Sequence, residues 1–280
     1  MRYYIVPDVH GRLFYQDPIK QALSEKDSHI VFLGDYIDPY PHEHITPDEA
    51  FERFKDIISL KKLNPNKITL LIGNHDLHYI DGSRRGCRMD YRNKSEIVSL
   101  FKNNIELFEY VKFITVNEKN FILSHAGFHY NWIREYSDKL GMFREDWEDF
   151  SEEKCIDFFN FSFLSSFDWN EMSKDPKWLF RYGDASYARG GYGNHPSFLW
   201  SDLSDHIFEH VKVRDCEQIF GHTMQQVGNY VRFDNCYCID CQCVFILGED
   251  GILKTFSGNE LINNGENVKN VYLDYFSMVI

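Results

Sequence analysis

The chain has 280 residues, of which 43% are apolar and 16% aromatic, which suffices for a large core and excludes disorder as a description of the whole. Its formal charge of -13 argues against a general nucleic-acid or anionic-membrane binder, so an anionic substrate would need local positive charge, which metal ions can supply. No charged and then apolar leader pattern and no run of about 18 apolar residues occurs, so a soluble, cytoplasmic protein is expected.

The first hundred residues alternate apolar strand candidates with amphipathic stretches. Strands are predicted over 2–7, 29–34 and 67–73, and helices over about 12–26, 47–62 and 94–108. That alternation is the βαβ signature of a parallel sheet. "KFITVNEKNFILSHAG" then predicts two strands joined by a polar turn at Asn117 to Asn120, which adds an antiparallel portion. Over about 131–180 the pattern changes to dense aromatics at helical spacing mixed with acids. This predicts a helical insertion, its aromatics facing the core or forming a cap over substrate. "RYGDASYARGGYGNHPSF" follows as a loop, and "QIFGHT", "NYVRFDNCYCID" and "CVFILGEDGILKTF" as short β segments, the last a hairpin over "GEDG". One domain spanning residues 1–280 accommodates all of this.

Seven cysteines are present, four of them at Cys236, Cys238, Cys241 and Cys243. Their spacing lacks the paired C-x-x-C knuckles of zinc ribbons, and small buried thiols in a sheet are the expectation.

Polar residues recur immediately after the apolar strands. Asp8 and His10 follow the first, Asp35 and Asp38 the second, and Asn74, His75 and Asp76 the third; His125 and His222 end two later ones. Taken alone, Asp8 and His10 could be a turn residue and a helix cap. Five strand ends that each present Asp, Asn or His instead suggest one crevice at the carboxyl edge of a sheet. Carboxylate, carboxamide and imidazole together suit Mn, Fe or Zn, and Gly11, Gly34, Gly73 and Gly221 permit the sharp turns or close approaches of a crowded site. Two cations about 3.5 to 4 Å apart can hold a phosphoryl oxygen and an activated water for in-line displacement.

The ordered set D-x-H-G, G-D-x-x-D, G-N-H-D, S-H-A-G and G-H-T, over about residues 3 to 247, resembles the calcineurin-like metallophosphoesterases. "GDYID", "GNHDLHY", "LWSD" and "IDCQCVF" resemble its phosphoprotein phosphatase branch, which includes Ser/Thr phosphatases and bacterial diadenosine tetraphosphate hydrolases. Asp76 stands where eukaryotic phosphatases of the branch usually carry Glu, a bacterial trait. The resemblance implies an α/β/β/α sandwich of two mixed sheets flanked by helices, holding two transition metals, with manganese favoured in vitro. It further implies that Asp8 and His10 bind one metal, that Asn74, His125 and His222 bind the other, and that Asp35 bridges them. His75, oriented by Asp38, would donate the proton to the departing oxygen. The alternatives are that His75 supports the metal ligands and that Asp38 is a turn residue before Pro39. His78, His129 and His195 are expected to be spectators.

One departure from the branch stands out. The pattern normally continues G-D-x-x-D-R-G, with an arginine on a phosphate oxygen, and here Pro39 takes its place. Candidate replacements are Arg189 in "YARGG" and Arg84, Arg85 and Arg88 of "SRRGCR", the latter more readily a solvated loop; Arg189 is the expected clamp, alongside Asn74 as a substrate contact. The implied function is di-metal hydrolysis of a phosphomonoester by an activated water, with a phosphoprotein or nucleotide as partner. The alternatives are a dinucleoside polyphosphate hydrolase and, less in keeping with the complete ligand set, a non-catalytic scaffold.

Overall fold

A computed structural model describes residues 1–80, 88–129, 132, 185–191, 196–208, 216–261 and 264. Its first strands are apolar at nearly every position because both their faces are covered. β1 (Arg2–Val6), β2 (Ser28–Phe32), β3 (Ile68–Leu71) and β4 (Phe108–Glu109) run parallel; β10 (Phe245–Leu247) and β11 (Leu253–Thr255) extend the sheet antiparallel, in the order β11-β10-β1-β2-β3-β4. Side chains alternate between two cores along each strand. Tyr4, Val6, Ile30, Phe32, Ile68 and Leu70 face helices α1 (Gln16–Ser24), α2 (Pro47–Leu63) and α4 (Lys94–Lys102). Ile5, Val31, Leu33 and Leu71 point the other way.

There they meet Ile114, Phe121, Leu123, Ile219 and Tyr237 of a second sheet. It comprises β5 (Lys112–Val116), β6 (Lys119–Leu123), β7 (Cys216–Phe220), β8 (Val231–Phe233) and β9 (Cys236–Cys238), in the order β5-β6-β7-β9-β8. Its outer side is covered by Leu203 and Ile207 of α5 (Leu203–Phe208), packed with Phe220, Val231, Phe233, Cys236 and Cys238. The layers are therefore α/β/β/α with two mixed sheets, as expected.

Local chemistry explains most element ends. α2 starts on a capping box, with Thr46 accepting from the Glu49 amide, the Glu49 carboxylate accepting from the Thr46 amide, and Pro47 in the first turn. The β5–β6 turn has Asn117 and Glu118 at φ 49° and 62°, the two positive values that a tight hairpin turn needs. The expected helix over 94–108 stops at Lys102, and residues Ile105–Leu107 form a 3-10 turn that leads into β4. The expected helix over 12–26 shortens to Gln16–Ser24. The cysteines at 216, 236, 238, 241 and 243 are unpaired, and all but Cys243 are buried. The aromatic insertion expected over 131–180 lies outside the described residues except Trp132, which is fully buried and packs edge-on against Phe198. No helix among the described residues is long and apolar enough to cross a membrane.

Candidate functional site

The loops after β1, β2, β3, β6 and β7 bring the nine residues singled out at the strand ends together, all of them buried. Backbone bonds tie the loops to one another: the amides of Val9 and His10 donate to Asp35 O (3.1 and 2.7 Å), and Gly221 N donates to His125 O (2.8 Å). The chain turns so sharply here that His10, Asp35, Asp38 and His222 sit at φ 46°, 53°, 61° and 65°. Left-handed backbone in non-glycine residues costs on the order of 1 kcal/mol each and gathers at functional sites. Two glycines make room for carboxylates. A Cβ on Gly73 would lie 2.1 Å from Asp35 Oδ1, and one on Gly221 would lie 2.1 Å from Asp8 Oδ1.

The tautomers follow from the carbonyls. His10 Nδ1 donates to Ile37 O (2.9 Å) and His125 Nδ1 donates to Leu33 O (2.9 Å), so each ring turns a bare Nε2 inward. His125 Nε2 lies 2.8 Å from Asn74 Oδ1, 3.1 Å from His222 Nδ1 and 3.6 Å from Asp35 Oδ2. His10 Nε2 lies 3.5 Å from Asp35 Oδ2 and 4.0 Å from Asp8 Oδ2. Oxygen and nitrogen lone pairs converge closely here, a geometry that could hold a cation among them.

The potential ligand atoms form two groups, Asp8, His10 and Asp35 on one side and Asp35, His125 and His222 on the other, each within 4.8 Å. Asp35 belongs to both. The hard and borderline donor set fits two divalent metals of the Mn, Fe or Zn type, and no cysteine enters either group. Electrostatics agree with this division. Burial pushes His10 and His222 well below the usual imidazole range. Burial raises the Asp8 carboxyl. Burial also works against the Asp35 charge, but His125, His75 and His10 outweigh it and hold that carboxyl below its ordinary value.

Beside this cluster, the His75 ring meets the His10 ring edge-on at 5.2 Å, and the His75 amide donates to Asp35 Oδ1 (2.9 Å). His75 Nδ1 donates to Asp38 Oδ2 at 2.8 Å. The other oxygen of Asp38 accepts from Tyr79 OH and from the Asp90 amide (3.3 Å). His75 and Tyr79 lie on α3 (Asn74–Ile80), a helix that no amphipathic pattern announces because all seven of its side chains are buried. Asp76 braces the backbone: its carboxylate accepts from the amides of Asp35 (2.7 Å), Tyr36 (3.1 Å) and Gly73 (2.9 Å) and clamps the β2 and β3 loops together.

Arg189 stands at the His222 side. Its Nε lies 2.8 Å from Asp202 Oδ2, and its Nη2 donates to His222 O (3.2 Å) and Thr223 Oγ1 (2.9 Å). Gly190, at φ 75°, closes the 3-10 turn that carries it. Arg88 departs from the solvated loop expected of it. Its guanidinium lies 3.6 Å from the centre of the Tyr40 ring, with Nη1 donating to Asp38 O (2.7 Å) and Nη2 to His75 Nε2 (3.0 Å). Arg84, Arg85 and His195 lie outside the described residues. His78 and His129 are buried among other rings, His78 beside Trp200 and His129 beside His206. Tyr79, Asp202 and Thr223 also support the site and end the motifs GNHDLHY, LWSD and G-H-T without having been singled out, whereas Asp90 follows no motif. The signal for Arg88 was indirect: Pro39 removes a cation that an anionic substrate requires.

The chain matches the description Calcineurin-like phosphoesterase over residues 1–226. It is 32% identical over 127 residues to a probable serine/threonine-protein phosphatase of Encephalitozoon cuniculi, covering 44% of this chain and 26% of that one. It is 30% identical over 128 residues to a protein phosphatase 2A catalytic subunit of Dictyostelium discoideum, covering 44% and 37%. The matched segments thus span well under half of these relatives. Among solved structures, a Saccharomyces cerevisiae protein serine/threonine phosphatase with similarity to human phosphatase PP5 aligns over 94% of this chain and 81% of its own, at 16% identity and a TM-score of 0.48. With the match running through four of the five strand-end loops and into the fifth, the chain belongs to the calcineurin-like phosphoesterase family, and its similarity lies on the Ser/Thr phosphatase branch.

Proposed function

We propose that the protein hydrolyses phosphate monoesters as a phosphatase of the Ser/Thr type, with two divalent metals held by Asp8, His10, Asp35, Asn74, His125 and His222. The observation that carries this reading is the Asp35 carboxylate shared by two ligand groups, with the His75–Asp38 pair directly alongside. When bound, the metals supply an activated water and positive charge at the phosphoryl oxygens. Asp35 would be the ligand shared by both metals, its carboxylate charge suited to a place between two dications. Asp38 fixes the His75 ring through Nδ1, so that Nε2 delivers the proton to the departing alkoxide. Asn74, whose Oδ1 lies beside His125 Nε2, would hold one metal and contact substrate beside it. Arg189, held by Asp202, faces the ester from the His222 side. The reading keeps a single domain with a helical insertion over 131–180 and a cytoplasmic location, in keeping with the unpaired cysteines.

The test is a substrate panel with protein loaded with Mn, Fe or Zn, Mn first. Metal-dependent release of phosphate from p-nitrophenyl phosphate and from a phosphoserine or phosphothreonine peptide is expected. Faster cleavage of diadenosine tetraphosphate would make the protein a dinucleoside polyphosphate hydrolase. No hydrolysis by protein with both metals bound would refute the enzymatic reading.

A further inference from the structure

We infer that Arg88 is the residue that grips the phosphoryl group and sets the preference for a monoester over a diester; the inference rests on the phosphoesterase reading above. The site is crowded with acids. Asp8, Asp35, Asp38, Asp76 and, acting on Asp8 and Asp35, Asp240 are each at most 1% exposed, so beyond the charge bound metals would supply, a protein cation fixed in place would orient an incoming phosphate dianion. Three guanidinium groups are near enough to be considered. Arg12 Nε is paired with Glu43 at 2.7 Å, with its Nη1 on Asp8 O (3.3 Å), and Arg189 Nε is paired with Asp202 at 2.8 Å. Arg88 has no carboxylate partner among the described residues; it rests on a carbonyl oxygen, an imidazole nitrogen and the Tyr40 ring. Among the described residues its guanidinium is thus the one at the site that is not committed to a carboxylate.

Its position is also the right one. A proton donor must come within about 2.6–3.2 Å of the leaving oxygen, and Arg88 Nη2 already lies 3.0 Å from the donor atom, His75 Nε2. A leaving oxygen within reach of His75 Nε2 therefore lies within about two hydrogen-bond lengths (~6 Å) of the guanidinium, close enough for its fork to turn onto the phosphoryl oxygens. Tyr40 supports the flat face of Arg88, and the anchored amide of Asp90, bonded to Tyr79 OH (2.7 Å) and Asp38 Oδ1 (3.3 Å), fixes the strand of backbone from which it projects. The backbone at Arg88 is itself left-handed, at φ 64°. A planar fork rewards two terminal oxygens at once, which a monoester presents in better number and charge than a diester does.

The experiment compares Arg88→Ala and Arg88→Lys with the unaltered Mn-loaded protein. kcat/KM is measured on p-nitrophenyl phosphate and on bis(p-nitrophenyl) phosphate, and binding of inorganic phosphate by calorimetry. For Arg88→Ala we expect a loss on the order of 100-fold on the monoester, a several-fold loss on the diester, and phosphate binding weakened on the same scale as the monoester rate. Arg88→Lys should recover part of each, and added guanidinium should restore Arg88→Ala on the monoester. Equal losses on both esters with phosphate binding unchanged would overturn the inference and leave Arg88 as a brace for His75. An unaltered protein that hydrolyses neither ester would refute the phosphatase reading instead. The calorimetric comparison would still decide for or against Arg88.

Discussion

Asp38→Asn is the sharpest perturbation of the proton-delivery step, because it keeps the shape of the side chain and removes its charge. Asp38 and His75 are both buried and 2.8 Å apart, so water screens the pair little. A hydrogen bond to a charged partner contributes about 1.5–3 kcal/mol, and losing the charge should therefore lower turnover roughly 10- to 150-fold on esters with poor leaving groups. The amide would also turn its NH2 toward Tyr79 OH and the Asp90 amide, where the structure requires an acceptor. Tyr79→Phe is the control: it removes that second contact, leaves the charge on Asp38, and should cost far less activity. The assay is kcat/KM over a series of aryl phosphates, with elemental analysis of every variant. The loss in Asp38→Asn should grow as the leaving phenol becomes a weaker acid. A loss of equal size across the series with metals retained would refute the acid role of the pair, and a loss of metal would place Asp38 among the supports of the ligand cluster.

Gly73→Ala should empty the metal site without replacing any ligand, because the added carbon would fall 2.1 Å from Asp35 Oδ1 and displace that carboxylate; full metal content in that variant would contradict such close packing. Arg189→Ala should cost about 2 kcal/mol in kcat/KM and leave the buried Asp202 carboxylate without its cation, so adding Asp202→Asn should recover the melting temperature but not the activity. His206 donates to Ala126 O, and burial lowers its pKa to about 4, so below pH about 6.5 the unfolded chain takes up a proton that the folded one refuses. Relative to His206→Gln, the natural protein should thus lose about 2 kcal/mol of unfolding free energy between pH 6.5 and pH 5, read from urea midpoints; a constant difference would mean that the imidazole protonates freely in the fold.

The strand ends were legible in the sequence because β-runs in an open sheet stop where polar chemistry starts, and Asp8, Asp35, Asn74, His125 and His222 each sit immediately past such a run. The two sheets were legible through the same alternation. What stayed hidden has physical reasons. α3 carries no polar face, so its residues Asn74–Ile80 present no helical period to read. The left-handed backbone at His10, Asp35, Asp38 and His222 is imposed by tertiary bonds between loops and has no glycine to mark it. Asp76 looked like part of the reactive set, yet its three amide contacts make it a clamp between loops. Arg88 lies 50 residues from Asp38, and although its loop was a candidate in the sequence, only the fold places its guanidinium on Asp38 O and beside His75.

The central claim is that one carboxylate, Asp35, joins two metal sites. It is tested most directly by counting transition metals per chain in the purified, Mn-replete protein and in Asp35→Asn, with folding verified by circular dichroism. Two metals in the natural protein and a fall at both sites in the variant is the result the geometry predicts, because the substitution removes a shared negative charge from between two dications. A single metal in the natural protein, or two retained in folded Asp35→Asn, would contradict it.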